Sequence, residues 1–228
     1  MREWSTSTRP TWSSRERTSL VGMSTIVRVA AKADAQAVGE VLARAFADDP
    51  VTTWVTPDAA RRARALPRLY SAIARFDSIP FGNAWVAVDR DEDGVVGETI
   101  TGAAVWRPTH RKASALAIPF SLAAGRALGR DIPRMIVTGT AVARARPKAD
   151  HWYLQLLGVD PQAQRSGIGS LLMQQALPTV DAAKLPAYLE TTVENLEFYA
   201  RFGFEVTGEI SAAADAPTEY SLVRKPER

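Results

Sequence analysis

The stretch Leu154-Gln-Leu-Leu-Gly-Val-Asp-Pro161, followed by Gln164-Arg-Ser-Gly-Ile-Gly-Ser170 and Leu171-Leu-Met173, decides how this chain is read. An apolar, strand-like run enters a glycine-bearing turn, and a helical pattern starts at once. Gly167 and Gly169 carry no side chain where a ligand would approach backbone N–H groups, and the unpaired amides of the helix start point toward that ligand. The product is an anion cradle suited to a diphosphate, to which Arg165 and the Ser170 hydroxyl can add contacts. A nucleoside-triphosphate loop would end in Gly-Lys-Ser or Gly-Lys-Thr, and a dinucleotide fold would need Gly-x-Gly-x-x-Gly; the chain has neither. Taken alone, the turn is equally a tight strand-to-helix connection.

A second block removes that ambiguity. Tyr188-Leu-Glu-Thr-Thr192, Asn195 and Phe198-Tyr-Ala-Arg-Phe-Gly-Phe204 follow in order. Together with Gln-x-x-Gly-x-Gly after a strand, they resemble the GNAT superfamily of N-acetyltransferases, in which the glycine turn grips the pyrophosphate of acetyl-CoA. Within that superfamily the chain resembles puromycin N-acetyltransferase and its relatives from Val27 to the C-terminus. Ala45-Phe-Ala-Asp48, Trp85-Val-Ala87, Ala104-Val-Trp106, Leu189-Glu-Thr191 and Arg224-Lys-Pro226 carry this finer likeness. The resemblance implies a GNAT fold, a central, mostly antiparallel twisted sheet with a splayed parallel strand pair, flanked by helices. It also implies acetyl-CoA as cofactor, with CoA as product. Its contacts would come from Leu157, Val159, Gln164, Arg165, Ser166, Gly167, Ile168, Gly169, Ser170 and Asn195.

Working outward, periodicity predicts a mixed α/β chain. Ile26–Val29 reads as a strand, and Asp34 as the N-cap of a helix that places Val38, Val41, Leu42, Ala45 and Phe46 on one face and stops before Pro50. Asp58 is placed to cap a second helix carrying Leu66, Leu69, Tyr70 and Ile73. Ala84–Asp89 and Thr101–Trp106 read as an antiparallel pair joined through Asp91–Gly97. Lys112–Arg146 reads as two helices broken around Gly129–Pro133, the second capped by Asp131. Strand Trp152–Val159, helix Gly167–Ala183, strand Ala187–Thr191, helix Glu194–Arg201 and strands Phe204–Ile210 and Glu219–Arg224 complete the order. In the penultimate strand Phe204, Val206 and Ile210 alternate with polar residues, which predicts a half-exposed sheet.

At 228 residues the chain suits one domain, expected over 23–228. Met1–Gly22, rich in Ser, Thr and Arg, reads either as a disordered tail or as the product of a start codon assigned too far upstream of Met23. No window approaches the roughly 18 consecutive apolar residues of a membrane span, and no secretory h-region is present, so a cytoplasmic protein with no membrane partner is expected. The absence of cysteine excludes disulfides and a thiol nucleophile, and with only two histidines, His110 and His151, no metal is expected. The net charge of +3 would fit nucleic-acid binding, but many of the arginines occur in Met1–Arg17 and Arg61–Arg75 and read as solvated surface. A monomer or homodimer is expected.

Acyl transfer to an amine needs a neutral nucleophile, a stabilised oxyanion and a proton for the departing thiolate. By resemblance Tyr199 is the general acid, against the plain alternative of a half-buried aromatic, and Asn195 shares its helical face at i and i+4. Phe198 and Phe202 read as core. Gly158 is a natural site for the bulge that splays the strand pair, or simply ends the strand. Leu157 and Val159 would then face the cofactor, with the Leu157 amide supporting the oxyanion. Where some GNAT members place a glutamate, this chain has Gln155, which takes no proton at neutral pH. Glu190 is the first candidate for general base, acting directly or through water; it is equally a residue that positions substrate or makes a structural hydrogen bond. His151, with an ordinary pKa of about 6.5, is a lesser candidate. Phe46, Asp48, Asp49, Trp54, Trp106, Trp152 and Tyr153 form an aromatic and acidic set suited to an organic cation, fewer than half of them expected at the substrate. The expected acceptor is a primary amine of a small molecule, aminonucleoside-like or antibiotic-like. A peptide acceptor would need an open groove, and a non-catalytic acyl-CoA-binding module would keep the turn without turnover.

Overall fold

The computed structural model describes residues 24–90, 96–109 and 116–226. The expectations for Met1–Gly22, for His110 and for most of the Asp91–Gly97 connection lie outside the described residues. Within them run β1 (Ser24–Val29), α1 (Ala35–Ala45), α2 (Pro50–Val55), α3 (Ala59–Ile73), β2 (Ala84–Arg90), β3 (Val96–Pro108), α4 (Ala117–Leu128) and α5 (Ile132–Ala145). Next come β4 (Trp152–Val159), α6 (Ile168–Ala182), β5 (Ala187–Thr191), α7 (Leu196–Ala200), β6 (Glu205–Ser211) and β7 (Thr218–Arg224). The strands form one sheet in the order β1-β2-β3-β4-β5-β7-β6. Every neighbouring pair is antiparallel except β4 and β5, which run parallel.

Alternation along the strands divides the interior into two layers. Val86 and Val88 of β2, with Ala103 and Val105 of β3, pack against Val38, Val41 and Leu42 of α1 and Leu66, Leu69 and Tyr70 of α3. Trp85 and Ala87, with Ala104 and Trp106, face the other way against Leu172, Met173, Ala176 and Val180 of α6 and Tyr199 of α7. The period of two along each strand turns successive residues to opposite faces, so each layer collects its own apolar set. Helix α4 lies along α3, and α5 reaches α2 and β6. Among the described residues no helix is long and apolar enough to cross a membrane.

Helix ends show where local signals succeed. Asp58 accepts a hydrogen bond from the Arg61 amide at 2.8 Å and starts α3 as expected. Asp34 instead accepts from the Ala31 amide at 2.6 Å and pairs with Arg28, capping a short 3₁₀ turn ahead of α1. Asp131 likewise gives no side-chain cap to α5; its carboxylate pairs with Arg61 at 2.9 Å. The proline expected only to stop α1 also opens α2, because Pro50 sits in the first turn and Asp49 accepts from the Thr52 amide at 2.8 Å. In β6 a register shift between Val206 and Gly208 breaks the expected alternation and leaves Val206 exposed on an edge strand.

Gly158 does not carry the bulge. It pairs in register with Ala103, and the irregularity in the β3–β4 ladder falls at Gln155, between the Val105↔Leu156 and Trp106↔Leu154 pairs. A Cβ at position 158 would lie 2.8 Å from Ala45 Cβ and 2.8 Å from Leu42 Cδ2. Glycine is needed here because α1 crosses directly over the strand.

Candidate active site

The parallel pair opens after two rungs. Trp152 pairs with Ala187 and Tyr153 with Tyr188, after which β4 keeps only β3 as a partner and β5 only β7. The Asp160 amide donates to Thr101 O at 2.8 Å, so this residue's main-chain groups face β3. In an antiparallel ladder successive residues point to alternate edges, which turns the main-chain groups of Val159 and Leu157 away from β3 and into the gap. Gln164 Nε2 closes the gap's far end by donating to Val159 O at 3.2 Å.

At that end stands the start of α6. Gly167 is its N-cap at φ 89°, with no side chain capping the helix, and the Leu171 amide takes the first intrahelical carbonyl, Gly167 O, at 3.0 Å. The amides just before Leu171 therefore have no acceptor within the helix and face outward with its positive dipole end. Arg165 is also left-handed, at φ 62°, and open space surrounds the position a Gly167 Cβ would take. The backbone thus folds into a concave cluster of N–H groups, a shape that holds anions. Ser166 turns away, its hydroxyl donating to Ala163 O at 2.6 Å.

A cavity of about 940 Å³ joins this cradle, through the gap, to a chamber on the sheet's other face. Register explains which residues meet there. Glu190 lies opposite Ser221, and Glu219 is two residues before Ser221, so both carboxylates share a face; Tyr188, two before Glu190, and its rung partner Tyr153 join them. Leu66 and Leu69 of α3, Phe120 and Leu128 of α4, and Met135, Thr138 and Val142 of α5 roof the chamber.

Its charges are unevenly matched. Arg146, just past α5, pairs with Glu190 at 3.3 Å and stacks 3.7 Å from the Tyr153 ring centre. The Tyr188 hydroxyl approaches the same carboxylate without reaching hydrogen-bond geometry. Burial pushes the Glu190 pKa up, against the opposing pull of Arg146 and the two tyrosine hydroxyls. Glu219 is pushed up to about 7, first by burial and then by the negative charges of Glu190 and Asp49. Asp49 is raised too, mainly by burial, although the Thr52 amide and hydroxyl hold it down. Among the described residues neither Asp49 nor Glu219 has a cation within ion-pair distance. Elsewhere in the cavity lining Tyr199 is 8% exposed, and burial raises its pKa, so the phenol keeps its proton at neutral pH.

Residues 130–206 match the sequence model of the acetyltransferase (GNAT) domain family. The fold is shared with a histone acetyltransferase HPA2-related acetyltransferase from Corynebacterium glutamicum, 26% identical, with a TM-score of 0.63 over 90% of this chain and 98% of that one. Residues 130–206 thus lie in a GNAT acetyltransferase domain. Arylalkylamine N-acetyltransferase 2 from Aedes aegypti is similar in fold (12% identity, TM-score 0.61, 89% and 99% covered). So is a polyamine N-acetyltransferase from Drosophila melanogaster (19% identity, TM-score 0.52, 89% and 100% covered). The protein is thus an N-acetyltransferase, and acetyl-CoA is the cofactor of its GNAT domain. The cradle fits that molecule's diphosphate: outward amides, a left-handed backbone and Arg165 meet there, and among the described residues no carboxylate lines that end of the cavity.

Of the site residues expected from sequence, Leu157, Val159, Gln164, Arg165, Gly167, Ile168, Gly169, Ser170, Glu190, Asn195 and Tyr199 all line the cavity, and Ser166 does not. From the aromatic and acidic set, Phe46, Asp49 and Tyr153 line it. Trp106 and Trp152 are core beneath α6, and Trp54 lies at the surface, its indole donating to Asp215 at 3.2 Å. His151 is buried outside the lining, its Nδ1 2.8 Å from Ala149 O, and burial lowers its pKa. Arg146, Thr138 and Glu219 were not singled out by sequence. The one signal for the first two is the helical spacing of Met135, Thr138, Val142 and Arg146, which resembles any buried helix face.

Proposed function

We propose that this N-acetyltransferase acetylates the primary amine of a small, cationic molecule, and that it belongs to the puromycin N-acetyltransferase-like branch, with an aminonucleoside-like or antibiotic-like acceptor. The observation that carries this reading is the continuous cavity, with an anion cradle at one end and a helix-roofed, carboxylate-lined chamber at the other. The roof formed by α3, α4 and α5 supports a small acceptor over a peptide, which would need an open groove.

Bound acetyl-CoA supplies a thioester carbonyl at the gap. The amides of Gly167 to Ser170 hold its diphosphate, helped by Arg165, while Leu157 and Val159 offer main-chain groups along the gap. The Leu157 N–H would support the oxyanion. Glu190 orients the incoming ammonium and draws its proton, directly or through water. The freed amine nitrogen would form the C–N bond; as the C–S bond breaks, Tyr199 would give its proton to the departing thiolate, and the second proton lost by the nitrogen would restore the phenol, directly or through water. The protonated phenol at Tyr199 also supports turnover over a purely acyl-CoA-binding role.

The test is thiol release from acetyl-CoA across aminonucleosides, aminoglycosides, polyamines and peptide N-termini, alongside calorimetric titration of CoA. Turnover confined to peptide N-termini, or no heat on CoA addition to folded protein, defeats the reading.

A further inference from the structure

We propose that the chamber selects an acceptor with two basic nitrogens, one presented to the acetyl donor and the other held by the carboxylates of Asp49 and Glu219. This rests on the acetyl-transfer reading above and names its substrate class. Three carboxylates line the cavity on this side, and the guanidinium there, Arg146, is committed to Glu190. Asp49 and Glu219 both line the chamber beneath an apolar roof, and Glu219 feels the negative charge of Asp49. Carboxylates partly withdrawn from water without a counter-cation are costly, and both groups answer by binding protons more readily. A ligand cation is the partner that would relieve them.

A reacting amine cannot supply that charge. Its nitrogen must shed a proton to attack the thioester, so a cation that neutralises the pair throughout turnover has to sit on a second nitrogen.

An independent feature points to the same occupant. Thr138, 9% exposed, lines the chamber from α5, and its Oγ1 has no hydrogen-bond partner among the described residues. Gln155 Oε1, thrown into the cavity wall by the β4 bulge, is likewise buried and unpartnered. An ammonium brings three donors and no acceptor, matching a set composed of two carboxylates, an amide oxygen and a hydroxyl oxygen. Leu66, Leu69 and Val142 supply apolar walls for the methylenes between the two nitrogens.

The experiment compares the diamine diaminopentane with pentylamine, a chain of equal length lacking the second nitrogen. Wild-type protein is measured beside Glu219→Gln, Asp49→Asn and the double variant that combines them; asparagine keeps the cap on α2. Thiol release should give a kcat/KM about tenfold higher for the diamine, and each variant should lose most of that ratio, chiefly through KM. Thermal shift without acetyl-CoA reads binding apart from turnover: diaminopentane should raise the Tm of wild-type protein and pentylamine should not. Equal turnover and equal thermal shift for the two amines would overturn the proposal, as would an undiminished ratio in the double variant. A diamine-specific thermal shift without thiol release from any amine would leave the subsite standing and remove the acetyl-transfer reading.

Discussion

Replacing Glu219 by glutamine should make the protein more stable at pH 8 and leave it nearly unchanged at pH 4.5. The carboxyl titrates at about 7 in the folded chain against an ordinary 4.5. Between those values the folded state binds the proton and the unfolded state does not, so stability falls as pH rises through the window and stays reduced above it. At about 1.36 kcal/mol per unit, the shift corresponds to roughly 3 kcal/mol. Glu219 is partly accessible to water, which screens some of this and leaves about 2 kcal/mol. Glutamine keeps the shape and never ionises, so Glu219→Gln should recover that amount at alkaline pH, raising Tm by roughly 4–8 °C for a chain of this size. Urea unfolding of both proteins across pH 4.5 to 8 measures it directly. A stability difference that does not change with pH, or a variant less stable at pH 8, would show that burial and the charges of Glu190 and Asp49 do not act on Glu219 as described.

Tyr199→Phe should lower kcat at least about tenfold, as expected for loss of a general acid, while calorimetry finds CoA affinity within a factor of about two; equal rates would remove Tyr199 from the acid role. Glu190→Gln leaves the half-buried Arg146 without its counter-charge and should cost about 3 kcal/mol in chemical denaturation, with Arg146→Met combined with it recovering part of the loss. Gly158→Ala should destabilise by about 1–3 kcal/mol, since the added methyl meets Ala45 and Leu42 at 2.8 Å; an unchanged Tm would show that α1 does not press on β4.

The sequence alone determined those parts of the molecule whose causes are local. The run from Trp152 to Val159, the Gln164–Ser170 turn, the start of α6 and the short helix carrying Tyr199 could be read from alternation, helical spacing and a glycine whose backbone turns left-handed. Each depends on residues within a turn or two of chain. Tertiary structure decided what depends on partners far away in sequence. The bulge fell at Gln155 because register against β3 set it, while the smallness of Gly158 answered to α1, more than a hundred residues earlier in the chain. Pro50 stopped one helix and began another because Asp49 was free to cap it. The chamber itself draws Asp49, Glu190 and Glu219 from three separate segments and Thr138 and Arg146 from a fourth, and no spacing links one segment to another. Their unusual protonation is a sum over buried surface and neighbouring charge, quantities that exist only once the sheet has brought β5 and β7 together under the helices.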